Sequence, residues 1–230
     1  MLKEIKRDFK RLANKEKARL LSRFFKTGKG EYGEGDIFLG IMVPKQRELA
    51  KKYFNLSLDN IQILLSSKIH EYRLTSLFIL IDKYKKADEK EKKKIFDLYL
   101  KNTKNINNWD LIDLSAPKII GNYLFDKNRT ILYKLAKSES LWEKRISILS
   151  TSYFIGQRQF EDTLKISEIL LKDKHDLIHK AVGWMLREVG KRDQQLEEDF
   201  LLKHYRDMPR TMLRYAIEKF SGKKKRFYMD

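Results

Sequence analysis

The chain has 230 residues, with 50 Lys and Arg against 32 Asp and Glu, giving a formal net charge of +18 and a sequence pI near 9.8. At 42% hydrophobic and 12% aromatic residues it can build a real core, which excludes a disordered polybasic tail, and its lack of cysteine excludes disulfides, thiolate zinc sites, iron–sulfur clusters and a cysteine nucleophile. Met1-Leu2-Lys3-Glu4-Ile5-Lys6-Arg7 lacks the apolar core of a signal peptide, and the longest apolar run, Leu77-Phe78-Ile79-Leu80-Ile81, falls far short of a membrane span. A cytoplasmic protein drawn to a polyanion is expected.

Apolar residues recur at helical spacing from the start, in Leu2-Ile5-Phe9-Leu12 and Ala18-Leu21-Phe24-Phe25. A glycine-rich stretch follows, with Gly28, Gly30, Gly33, Gly35 and Gly40, and then Pro44 stands at a first-turn position before Lys45-Gln46-Arg47-Glu48-Leu49-Ala50. Further helices are predicted over 58–66, 69–86, 89–101, 109–124, 128–137, 140–155, 161–172, 176–190, 194–203 and 209–221. Asp59, Asn108, Ser140, Asp176 and Pro209 are start signals, and Gly156, Gly190 and Gly222 stop signals. No sheet is predicted. Paired, such helices need roughly 35–45 residues per hairpin, the range of HEAT and armadillo repeats. An all-α solenoid of antiparallel helix pairs over residues 1–222, with a concave basic face, is therefore expected, followed by a mobile basic tail over 223–230. No strict sequence repeat accompanies it.

Two motifs read as decoys. Gly28-Lys29-Gly30-Glu31-Tyr32-Gly33 matches the dinucleotide fingerprint in letters only, because a helix and not a strand precedes it; a loop is predicted. His175 and His179 stand four residues apart with Asp176 between them and no third ligand in view, so no metal is predicted. No cofactor is expected.

The tryptophan segments carry more. In Asn108-Trp109-Asp110-Leu111-Ile112-Asp113, Trp109 and Asp113 are one helical turn apart; they read either as a functional pair or as a core ring beside a surface charge. Lys180, Trp184, Arg187 and Lys191 form one stripe on a helix, suited to a phosphate–sugar backbone or to a tryptophan under snorkelling cations. Trp142 reads as packing, with Arg145 one turn on reaching outward; Arg210 and Arg214 make another basic pair, and Lys223-Lys224-Lys225-Arg226 adds non-specific attraction to phosphate.

Taken in order, these segments resemble the DNA alkylation repair family, the AlkD-like DNA glycosylases built on HEAT-like repeats. The resemblance runs through Tyr32-Gly33-Glu34-Gly35-Asp36, Phe38-Leu39-Gly40-Ile41, Pro44-Lys45-Gln46-Arg47, Trp109-Asp110-Leu111-Ile112-Asp113 and Leu141-Trp142-Glu143-Lys144-Arg145. It closes with Lys180-Ala181-Val182-Gly183-Trp184-Met185-Leu186-Arg187-Glu188 and Pro209-Arg210-Thr211-Met212-Leu213-Arg214-Tyr215-Ala216. It implies a monomeric glycosylase acting on double-stranded DNA that carries cationic N-alkylated purines, left stacked and not flipped. By motif, Trp109 and Trp184 would flank the lesion's deoxyribose, Asp113 would be the catalytic carboxylate and Arg145 its adjacent cation. Phe24 falls where relatives can carry a tyrosine, a lesion-contact position. Lys180, Arg187, Lys191, Lys45, Arg47, Arg210 and Arg214 would hold DNA. Two other readings stand beside this one: a non-enzymatic helical-repeat protein binding duplex or branched DNA, and a scaffold for an acidic partner.

Overall fold

The computed structural model describes residues 1–229 and divides into two compact units, Met1–Leu111 and the chain from Ile112 onward. Both are helical. Among the described residues the one β-type feature is a single parallel bridge between Ile37 and Ile69.

In the first unit, α1 (Leu2–Leu12), α2 (Lys15–Phe24), α3 (Val43–Lys52), α4 (Leu58–Leu65), α5 (His70–Lys86) and α6 (Glu89–Lys101) follow one another, with a long glycine-rich loop between α2 and α3 and short connections elsewhere. Polar caps set several starts: the side chains of Asn14, Ser57 and Asp88 accept the backbone N–H of Lys17, Asn60 and Glu91. The start of α4 is thus capped by Ser57, two residues before the predicted Asp59. α5 packs against α3, α4 and α6, and His70 through Ile81 are all buried, so this helix is enclosed on every face instead of being amphipathic. The glycine stretch forms the predicted loop. Gly28 and Gly30 N–H groups donate to the loop's own Glu31 and Glu34 carboxylates, both at 2.8 Å. Its end is fixed from α5: Glu71, 1% exposed, accepts the N–H groups of Leu39, Gly40 and Ile41. Gly40 adopts φ +80° with Asn14 O and Ala18 N where a Cβ would stand, so only glycine fits.

α7 (Trp109–Ala116) begins in the first unit and continues through a π-helical turn, Pro117–Gly121, into α8 (Asn122–Leu124), giving the helix predicted over 109–124. The second unit then holds α9 (Thr130–Ala136), α10 (Leu141–Gly156), α11 (Glu161–Leu170), α12 (Asp176–Gly190), α13 (Gln194–His204) and α14 (Arg210–Ala216). Ser140 caps α10 as predicted, whereas α12 is capped by His175, whose Nδ1 accepts the Leu177 N–H at 3.1 Å, not by Asp176. α10 packs on the π turn and on α12, and α12 packs on α14; α9, α11 and α13 lie against these as a second row. Long-range side-chain pairs join these elements: Asp113–Arg145, Lys144–Asp173 and Arg187–Glu218 link positions 32, 29 and 31 residues apart. Helices also approach closely at two glycines: a Cβ on Gly121 would strike Ser150 O of α10, and one on Gly183 would strike Met212 O and Tyr215 of α14.

The predicted mobile tail is instead a helix, α15 (Gly222–Met229), with Tyr228 4% exposed against Phe220, Tyr205 and Phe227. Lys224 pairs with Glu198, and Arg210 donates to Met229 O. Packing of Tyr228 on buried Phe220 and half-buried Tyr205 outweighs the repulsion of the basic run, and Gly222 opens this helix where it was expected to stop one.

Candidate functional site

α7 contributes residues to a polar cluster in each unit, Asp110 in the first and Asp113 in the second.

In the first unit the cluster is aromatic and ionic. Trp109 is half-buried, neither a closed core ring nor a free one. Its ring stacks on Phe25 at 5.2 Å between centroids, Phe24 meets it edge-on at 5.9 Å, and its Nε1–H donates to Tyr32 Oη at 3.2 Å. Phe24 is 63% exposed, an aromatic left in solvent beside a tryptophan. Beneath them, His70 places Nδ1 3.1 Å from Asp36 and Nε2 2.8 Å from Asp110, with Phe38 stacked on the imidazole at 4.5 Å. Arg73 grips both Asp36 oxygens at 2.7 Å. Burial disfavours charge on His70, but Asp110, through its charge and hydrogen bond, and then Asp36 outweigh it and raise the imidazole to about 9. Burial likewise works against the Asp36 carboxylate, and His70 and Arg73 prevail to hold it below the usual range.

In the second unit the centre is Asp113 with Arg145. Arg145 Nε donates to Oδ1 at 2.8 Å and Nη2 to Oδ2 at 2.7 Å, while Nη1 reaches Leu177 O. The Arg145 side chain is 6% exposed and that of Asp113 15%. The expectation that Arg145 reaches outward is therefore corrected: its side chain is buried, each of its three nitrogens hydrogen-bonds to α7 or α12, and it orients a carboxylate. Beside it Lys144 holds Asp173 at 2.8 Å, overcoming burial to keep that carboxyl below its usual range. His175 and His179 are both engaged locally, the first as the α12 cap and the second at 2.6 Å from Asp173 O. Burial pushes the His175 imidazole down. No group of three metal-ligating side chains occurs among the described residues.

The other predicted site residues divide by their partners. Trp184 is half-buried on α12 with Nε1–H donating to Glu188 at 3.2 Å. Lys180 pairs with Asp176 at 2.6 Å, Lys191 with Glu188 at 2.6 Å, Arg187 with Glu218, and Lys45 with Glu48 at 2.8 Å. The Arg47 guanidinium lies 4.1 Å from the centre of the Phe78 ring. Arg210 and Arg214 are both exposed on α14. The basic stripe on α12 is thus interleaved with acids. Asp36 and Asp110 fall inside the motifs above but carry no assigned role there, and His70, Glu71 and Arg73 fall outside them. The available signal was His70, Glu71 and Arg73 within one turn, shortly before the apolar run Leu77–Ile81.

A family model described as "DNA alkylation repair enzyme" matches residues 5–220. The chain belongs to the DNA alkylation repair enzyme family. The fold agrees: a predicted DNA alkylation repair enzyme from Enterococcus faecalis superposes with a TM-score of 0.71 at 17% identity, covering 91% of this chain and 97% of that one. A Streptococcus mutans UA159 protein, smu.31, gives 0.53 at 16% identity, covering 95% and 98%. No curated protein matches the chain. As a DNA alkylation repair family member the chain has DNA as its substrate class, and its net charge of +18 suits that polyanion. Among the described residues no helix is long and apolar enough to cross a membrane.

Proposed function

We propose that this family member is a monofunctional DNA glycosylase that hydrolyses the N-glycosidic bond of cationic N-alkylated purines, of the 3-methyladenine and 7-methylguanine type, in duplex DNA without flipping the base. The observation that carries this reading is the Asp113–Arg145 pair, which fixes a carboxylate in one orientation with part of its edge in solvent. A buried guanidinium that locks a partly exposed carboxylate at one angle is what stabilising a cationic sugar asks for, whereas binding alone asks for no fixed angle.

The chemistry asks for little more. An alkylated purine already carries positive charge, so the C1′–N bond can break with its electron pair leaving on the base and no general acid is needed. The deficit left on the sugar is oxocarbenium-like, the problem glycosidases meet with carboxylates. Asp113 supplies the anion, and water completes the reaction at C1′ on the face opposite the departing base, giving up its proton to the carboxylate or to solvent. Trp109 and Trp184 add cation–π attraction of about 0.5–2 kcal/mol each. Arg145 acts as a positioning group for Asp113. Lys180, Arg187, Lys191, Lys45, Arg47, Arg210 and Arg214 meet phosphates, four of them by exchanging a carboxylate partner for a phosphate one. Phe24, exposed beside Trp109, is the further lesion contact. The protein works as a monomer in the cytoplasm, on nucleoid DNA.

The test is release of 7-methylguanine from duplex DNA by the unaltered chain and by Asp113→Asn. Release by the first and not the second supports the proposal; tight DNA binding with no release by either establishes the non-enzymatic DNA-binding reading instead.

A further inference from the structure

We infer that His70 is a positioning residue for Trp109, holding the indole in place by donating hydrogen bonds from both ring nitrogens, to Asp36 and to Asp110, the residue next to Trp109. This rests on the glycosylase reading for its consequence in catalysis, but its geometry stands alone.

His70 is the first residue of α5 and is 2% exposed. Carboxylate oxygens face both ring nitrogens, at 3.1 and 2.8 Å, and a neutral imidazole has one N–H to offer; only the doubly protonated ring satisfies both acceptors. The surroundings balance in charge. Asp36 and Asp110 supply two anions, while His70 and Arg73 supply two cations; Arg73 is itself tied to Ser67 O at 3.0 Å. Glu71, the remaining acid on this turn, is engaged with three backbone N–H groups of the glycine loop. Asp110 Oδ1 is buried with no hydrogen-bond partner, so Oδ2 and its bond to His70 hold that carboxylate.

Two routes lead from the imidazole to the indole. One is covalent, from Asp110 to its neighbour Trp109 at the start of α7. The other runs through rings: Phe25 lies 5.1 Å from His70 and stacks on Trp109 at 5.2 Å and 26°. The far side of Trp109 is set by Tyr32 and Phe24, with the Lys26 ammonium 6.0 Å from the Tyr32 ring. Loss of the imidazole proton would leave one of the two aspartates facing a lone pair, and both routes would slacken together. The raised protonation equilibrium of His70, near 9, accords with this and places the loosening in a measurable range.

The experiment follows the emission of Trp109 in full-length protein carrying Trp142→Phe and Trp184→Phe, from pH 6 to 10, beside single-turnover excision of 7-methylguanine by protein with all three tryptophans. Emission and rate are expected to change together near pH 9. Asp110→Asn keeps the shape but removes the charge, so it should move that transition down by at least roughly one pH unit. His70→Gln should abolish the transition and lower the excision rate roughly tenfold or more, with DNA affinity little changed. A purely structural His70 would instead lower the rate equally at every pH. An emission flat to pH 10, or a transition unmoved in Asp110→Asn, overturns the inference even if His70→Gln fails to fold. If Trp109 emission titrates as described while no variant releases base, the positioning of Trp109 stands and the glycosylase reading falls.

Discussion

Arg145 meets Asp113 side-on, with two parallel N–H···O bonds of 2.8 and 2.7 Å, and anchors its third nitrogen on the Leu177 carbonyl at the start of α12. One guanidinium thereby ties α10 to α7 and α12 while fixing the angle of a carboxylate. Lysine cannot reproduce that fork. Arg145→Lys is expected to cost about 2 kcal/mol in urea unfolding and to lower excision more than DNA affinity. Asp113→Asn turns an amide N–H toward the guanidinium; it should destabilise by a similar amount and reduce single-turnover excision by about 100-fold or more. Unchanged excision in both variants would remove Asp113 from the chemistry.

The His70 cluster also makes stability depend on pH. Its imidazole binds a proton more tightly in the folded chain, about 9, than the ordinary 6.5. The contribution is therefore complete below pH 6.5 and disappears as pH rises through 9, amounting to about 3 kcal/mol. Thermal melts of the unaltered chain should fall between pH 7 and pH 9.5. His70→Gln should start lower and lack that particular slope.

Glu197 behaves in the opposite sense. It is 2% exposed, one of its carboxylate oxygens lacks a partner, and burial, then the neighbouring Glu198, push its carboxyl up to about 8 against the pull of Arg187. An acid with a raised folded value loses stability as pH climbs from its unfolded range to that value. Glu197→Gln, equal in size and uncharged, is expected to raise stability at pH 7 by about 2–3 kcal/mol and to have little effect at pH 4. Melts at the two pH values decide it.

At Gly183 the backbone of α14 comes within the reach of a Cβ on α12, and Gly121 plays the same part between the π turn and α10. In each case backbone carbonyl oxygen occupies the place of a Cβ. Gly183→Ala must push the helices apart, at about 1–3 kcal/mol, visible as a reduced urea midpoint. Gly156→Ala, with open space around the position, should be neutral or slightly stabilising.

Much of the helix order was legible because apolar spacing and caps such as Ser140 are local signals. The all-α class follows from them, and the loop over Gly28–Gly33 from the absence of a strand before it. How the helices pack on one another was not legible, because it depends on pairs such as Arg187–Glu218 and on glycines facing a neighbour's carbonyl, which constrain few positions per helix. That Arg145 stands beside Asp113 was legible through their motifs, but the direction of Arg145 was not, since nothing nearby in sequence announces that Leu177 O lies within reach. His70 was missed for a related reason: its partners stand 34 and 40 residues away, and nothing beside it in sequence marks it as paired. The helix α15 was concealed by the basic run Lys223–Arg226, which outweighed Tyr228 in composition though not in packing.

The acid partners of the α12 cations bear on how the protein would respond to salt. A lysine that meets a phosphate normally releases a counterion from DNA, and affinity falls with added salt in proportion to the number of such contacts. Lys180, Lys191, Arg187 and Lys45 each bring a bound carboxylate to that encounter, from Asp176, Glu188, Glu218 and Glu48. Each carboxylate displaced by phosphate becomes free to take up a cation from solution, offsetting the one released. The built-in acids thus act as resident counterions. The chain should bind DNA with a shallower salt slope than its number of phosphate contacts implies, and keep more of its grip as ionic strength rises.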